Sequence, residues 1–199
     1  MTADSAKPDR MKWLGSNLLL GFLVTVLSVF TAVANYSTYI VGGKASAYQT
    51  EGDRLLAGSN TEYIQATQFI IVDYTMYDGY HVNLDKDNDA ADYYQFNFSE
   101  ELKASLDRND PFDSAYTDAM YADANTMFND AFVKFDLANA EGEREAGYQL
   151  AMLITAVGLA FAAYASLLEE ANRLRRIFAL MSLIMLVFSI GQFVLVSVA

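Results

Sequence analysis

Three stretches of this chain, residues 13–40, 147–168 and 177–199, contain no Asp, Glu, Lys, Arg or His. Each is 22 to 28 residues long, and about 20 apolar residues in helical form cross a hydrocarbon layer ~30 Å thick. Lipid offers backbone N–H and C=O groups no partner, so such segments must bond internally, as helices. The chain is therefore read as an all-α membrane protein with three transmembrane helices. Its charge lies elsewhere. Residues 41–146 hold 21 of the 25 acids and 7 of the 13 bases, a net −14 in a chain of net −12.

The bases set the expected orientation. Lys7, Arg10 and Lys12 precede the first span, and Arg173, Arg175 and Arg176 fall in the short turn, residues 169–176, between the second and third. Lys and Arg near span ends favour the cytoplasmic side, and in a three-span chain both clusters lie on one side. Residues 1–12 and 169–176 are thus expected in the cytoplasm, with residues 41–146 and the C-terminus outside. Trp13 suits an inner interfacial belt, and Tyr36, Tyr39 and Tyr148 an outer one. A second reading of the start is a signal peptide cleaved after Ala34, at Ala32-Val33-Ala34. The apolar run to Val33 exceeds the usual 7–15 residues of such a peptide, which favours a retained anchor.

Small and polar residues recur along the spans. Asn17, Gly21, Thr25, Ser28, Ala32 and Asn35 are spaced 4, 4, 3, 4, 3, and Ala151, Thr155, Gly158, Ala162 and Ser166 likewise share one helical face. Ser182, Ser189 and Gln192 share a face of the third span. Small residues let membrane helices approach closely, so the first two faces are expected to pack on one another, with the third span beside them.

The acidic region reads as two long antiparallel helices that continue the first two spans. One runs from Ala45 to Tyr77, with Leu56, Tyr63, Ile70 and Tyr77 seven apart, and Asp78-Gly79 as its stop. Gly42-Gly43 is the weak point before it. The other is expected to start at Asp110-Pro111, Asp as cap and Pro at the first helical position. Its seam is Tyr121, Ala124, Phe128, Ala131, Phe135 and Ala138, alternating large and small. About 33 residues of helix extend ~50 Å. Between them, Ser99 is placed to cap a short helix, Glu100 to Leu106. Tyr74, Tyr77, Tyr80, Tyr93, Tyr94, Phe96 and Phe98 cluster at the tip, as a small core or a binding surface.

Little chemistry accompanies this. Asp85, Asp87 and Asp89 alternate as calcium loops begin, but the sixth position is Ala90 and the twelfth Phe96, where an EF-hand loop needs Gly and a bidentate Glu. No metal site is assigned. There is no cysteine and His81 is the only histidine, so no thiolate chemistry or His-paired triad exists within one chain, and no enzyme or cofactor is expected. An acidic exterior repels nucleic acid. Asn97-Phe98-Ser99 fits a glycosylation acceptor, a common pattern.

The order KWLGSNLLLGFLVTVLSVFTAVANYS, then TEYIQATQFIIVDYTMYDGY, then GLAFAAYASLLEE before the last span resembles a set of three-span bacterial membrane proteins grouped under a domain of unknown function. The resemblance implies a bacterial inner membrane and carries no functional residue. The expected function is a non-enzymatic scaffold or accessory subunit in the lipid bilayer, assembling with itself or with other membrane subunits. The alternative is an oligomeric cation channel, lined by Asn17, Thr25, Ser28 and Asn35, with an acidic mouth.

Overall fold

The computed structural model describes residues 12–170 and 172–198, Lys12 by its backbone alone. Lys7 and Arg10, on which part of the orientation argument rests, lie outside the described residues, as does Ala199. A 3₁₀ turn, Lys12–Gly15, leads into α1 (Asn17–Asn83), α2 (Asn88–Phe96), α3 (Glu100–Asp107), α4 (Ser114–Met120), α5 (Ala122–Leu167) and α6 (Arg173–Val198), with no strand among the described residues. Three of these helices, α1, α5 and α6, are long and apolar enough to cross a membrane.

The helix boundaries follow local chemistry. Ser16 Oγ accepts from the Leu19 amide at 3.2 Å, satisfying a free N–H at the start of α1. The expected stop at Asp78-Gly79 does not operate, and α1 continues to Asn83. Gly79 serves packing instead: a Cβ there would stand 2.5 Å from the Tyr94 ring. Gly42 likewise lies inside α1, under the Glu145 carboxylate. Ser99 does cap α3, its Oγ accepting from Leu102 N at 3.0 Å. The cap expected at Asp110 is found at Asp113, whose carboxylate accepts from the Tyr116 amide at 2.8 Å. Pro111 occupies the turn before it, and Phe112 adopts φ 64° there. That conformation costs an L-residue about 1–2 kcal/mol, opposed by stacking of its ring on Tyr74 at 4.0 Å. Nor is the second long helix continuous from the cap, since Tyr121 (φ −99°, ψ 7°) separates α4 from α5.

The chain divides into two compact units: Tyr48–Leu137, and the residues on either side of it, up to Ala47 and from Ala138. The flanking unit holds the most apolar parts of α1 and α5 together with α6. Its core is Leu23, Leu27, Ala162 and Leu186, extended by Leu20, Ala165 and Ala179 at one end and by Val41, Tyr148 and Val196 at the other. The seam of α5 packs as expected at Ala151, Thr155, Gly158 and Ala162, all buried, while Ser166 is exposed and Ala165 takes its place. Its neighbours lie on α6 and, through Leu23 and Leu27, on α1. Thr155 and Ser189 hydroxyls meet each other and the Ala151 carbonyl, and a Cβ on Gly158 would stand 3.0 Å from Met185. The face expected on the first span is corrected. Asn17, Gly21, Thr25, Ser28, Ala32 and Asn35 are exposed, and α1 buries Leu20, Leu23, Leu27, Ala34 and Val41 instead. Tyr148, expected in an outer belt, is buried, with its hydroxyl 3.1 Å from Ser197 Oγ.

In the Tyr48–Leu137 unit, α1 and α5 meet through small residues. Gly52, Ser59, Ala66 and Asp73 are buried along α1 at seven-residue steps, and Ala124 and Ala131 face them from α5. Ser59 Oγ donates to the Ala124 carbonyl at 2.8 Å, and a Cβ on Gly52 would touch the Phe135 ring at 2.5 Å. The seam read from the sequence alternated large and small residues; here the small ones are central and the large ones flank. Phe128, expected inside, is 45% exposed, and Tyr63 is 54% exposed.

Candidate functional site

Among the described residues, the buried acid of the Tyr48–Leu137 unit is Asp73. It sits on the inward stripe of α1 and is 2% exposed. Its carboxylate accepts the Ser99 amide at 3.0 Å, the Ser99 hydroxyl at 2.5 Å and the Tyr116 hydroxyl at 2.8 Å. One buried anion thus joins α1, the start of α3 and α4. No cation neutralises it among the described residues, so hydrogen bonds alone offset its desolvation. Burial, and then the bond to Asp73, push the Tyr116 hydroxyl well above the ordinary phenol range, so it remains a donor. Around this hub pack Phe98, Leu102 and Tyr116, with Ile70, Met76, Tyr77, Tyr80, Leu106, Phe112 and Met120.

The aromatic set singled out in the sequence is therefore divided. Tyr77, Tyr80 and Phe98 belong to this core, whereas Tyr74, Tyr93 and Phe96 are exposed, Phe96 to 82%. His81 lies in the last turn of α1, with its ring 4.4 Å from that of Tyr77.

Two of the three acids at Asp85, Asp87 and Asp89 have a helical explanation. Asp87 is the N-cap of α2, accepting from Ala90 N at 3.2 Å, and Asp89 stands in its first turn, where the helix dipole favours an anion. Helix α2 itself was not foreseen. Asn97 ends it and donates its side-chain amide to the Tyr93 carbonyl at 2.7 Å. Among the described residues, no three His, Asp or Glu side chains gather as a metal ion would require. A groove of about 350 Å³ is lined by Glu62, Phe69, Glu101, Met120 and Asp123. Glu101 and Asp123 occupy the first turns of α3 and α5, so dipoles account for two of its three acids.

Compared with family models, with curated proteins and with solved structures, the chain matches none.

In the flanking unit the counterpart of Asp73 is Arg175. Expected in the short turn of residues 169–176, it lies inside α6, 3% exposed. Its guanidinium donates to the Gly15 carbonyl at 2.7 Å, to the Leu168 carbonyl at 2.6 Å and to Asn17 Oδ1. The Asn17 amide in turn donates to Glu170 at 2.9 Å. A single side chain thereby ties together the residues before α1, the first turn of α1, the end of α5 and the start of α6. Asn17 is spent on this cluster, not on a face shared with Asn35.

What the chain leaves uncovered is as informative as what it buries. Gly21 and Gly43 have open space where a Cβ would stand. On the Tyr48–Leu137 unit, Ile64 and Ile71 are each 59% exposed.

Proposed function

We propose that this protein is a non-enzymatic membrane scaffold or accessory subunit that works by helix-to-helix assembly. In this reading the three apolar helices span the bilayer, residues 1–12 and the turn before α6 face the cytoplasm, and the acidic region forms an antiparallel helical hairpin outside. A bacterial inner membrane is the expected setting. The observation that carries the proposal is the uncovered face of α1. Gly21, Thr25, Ser28, Ala32 and Asn35 are small or polar, yet none is covered by α5 or α6. A close-approach surface left open on one chain suits a second helix.

The same face supports the alternative, an oligomeric cation channel, through the polarity of Asn35 and Ser28. Thr25 weighs against it: its hydroxyl donates to the Gly21 carbonyl at 2.9 Å and is satisfied within its own helix. Purification of the full chain in mild detergent, with its mass measured by light scattering and companions identified by mass spectrometry, tests the scaffold reading. An assembly is expected, and a lone monomer without companions overturns it. Reproducible cation-selective conductance in planar bilayers would replace it by the channel.

A further inference from the structure

We infer that α1 pairs with α1 of a second copy of this chain, parallel and in register, along Thr61, Ile64, Gln68, Ile71 and Thr75. This rests on the assembly reading above and names the face and the partner. All five residues are exposed and follow one another at steps of 3, 4, 3, 4, the spacing at which identical helices wrap a common seam. This stripe lies apart from the one α1 turns to α5, which runs through Gly52, Ser59, Ala66 and Asp73. The helix therefore carries two seven-residue stripes, and the chain's own fold occupies one.

Charge identifies the occupant. The Tyr48–Leu137 unit carries 18 acids and 5 bases, so a second copy is repelled wherever acids are displayed. Between Glu62 and Asp78, the only charged residue of α1 is Asp73, which is buried. The outward face of this stretch is uncharged: Ile64, Ile71 and Val72, flanked by Tyr63 stacked on Tyr121 at 4.6 Å. It is where two copies of so acidic a unit can touch without opposing carboxylates. Thr61 and Thr75 direct their hydroxyls to the Ala57 and Ile71 carbonyls, so their hydrogen-bonding need is met and the stripe stays chiefly apolar. Gln68 is the exception at its centre. In register, its side-chain amide meets the same amide of the other copy, each N–H donating to the other's C=O, and a polar group at one seam position fixes alignment. Copies inserted in one bilayer share a topology, which favours the parallel arrangement.

The chain has no cysteine, so single cysteines can be read without background. Ile64→Cys, Gln68→Cys and Ile71→Cys, with Gln65→Cys and Phe69→Cys as controls on the same helix, are oxidised in native membranes. Disulfide-linked dimer is expected at the first three, several-fold above the controls. Equal yield at all five, no yield at the three, or yield at Gln68 alone (the signature of antiparallel pairing) overturns the inference. Light scattering on the parent chain separates the two claims. A multimer without seam cross-links leaves the assembly reading standing and removes this face, and a monomer removes both.

Discussion

In the Tyr48–Leu137 unit a buried carboxylate collects donors from the α3 start and from α4; in the flanking unit a buried guanidinium collects acceptors from the 3₁₀ turn, α1 and the end of α5. Both units also rely on seams of Gly, Ala, Ser and Thr. Such seams set how near two helices come, but they repeat every seven residues and tolerate sliding. A charged group with three convergent partners has only one place to sit. The opposite signs follow from what each end of a helix offers. Asp73 meets the Ser99 amide and two hydroxyls, all donors, while Arg175 meets the Asn17 side chain and two backbone carbonyls, one of them the Leu168 carbonyl just past α5, where the last acceptors of a helix are left free.

The comparison is most strongly broken at Asp73. Asp73→Ala strands the Ser99 amide and the Tyr116 hydroxyl, and charge-assisted bonds contribute about 1.5–3 kcal/mol each, so a loss of about 4 kcal/mol is expected. Hydrogen exchange should speed up at Leu102 and across 114–120 while amides of 151–162 keep their protection. Arg175→Ala comes next, at about 3 kcal/mol, read as a lower Tm in detergent with exchange at Leu102 unchanged. Should either substitution loosen both units equally, the two charges are not separate pins. The seams sharpen the contrast. Ala131→Leu overfills a fully buried site and should cost about 2 kcal/mol. Phe128→Ala, at a half-exposed ring, should cost less than about 1 kcal/mol in the same melt.

The smallest effect is one of pH. The Arg108 side chain, and then the Tyr116 amide, hold the Asp113 carboxyl below its ordinary 3.8, at about 2. A depressed folded value means that the stabilisation is complete above pH ~4 and is lost as pH falls towards 2. Between those limits, exchange at the α4 N-terminus should rise, and Asp113→Asn should abolish that dependence.

How legible this was from sequence depends on residue size. Runs without charge announced the apolar helices because a bilayer forbids charge over that length. The Ser99 cap was equally plain, since a hydroxyl before two glutamates offers the α3 amides an acceptor. The inward faces were misread wherever bulk was taken as a sign of burial. Of Leu56, Tyr63, Ile70 and Tyr77, Tyr63 is exposed and the others are half-buried, while the fully buried stripe lies four residues earlier, on Gly52, Ser59, Ala66 and Asp73, which carry almost no hydrophobic signal. Asp73 was one acid among 25, and nothing local separates it from those in water. Its partners are 26 and 43 residues away. Arg175 was hidden in the same way, among three arginines that together read as an orientation signal.

Ser99 has a single hydroxyl hydrogen, and it goes to Asp73 while the oxygen's lone pair receives Leu102. The start of α3 is therefore completed by a residue from a distant turn of α1, and the local and long-range steps are one event. During synthesis the whole of α1 emerges before Ser99 does, so the carboxylate is already waiting when the short helix begins. Folding of the 99–120 segment should be all-or-none and follow α1 in time, with no independent life as a peptide.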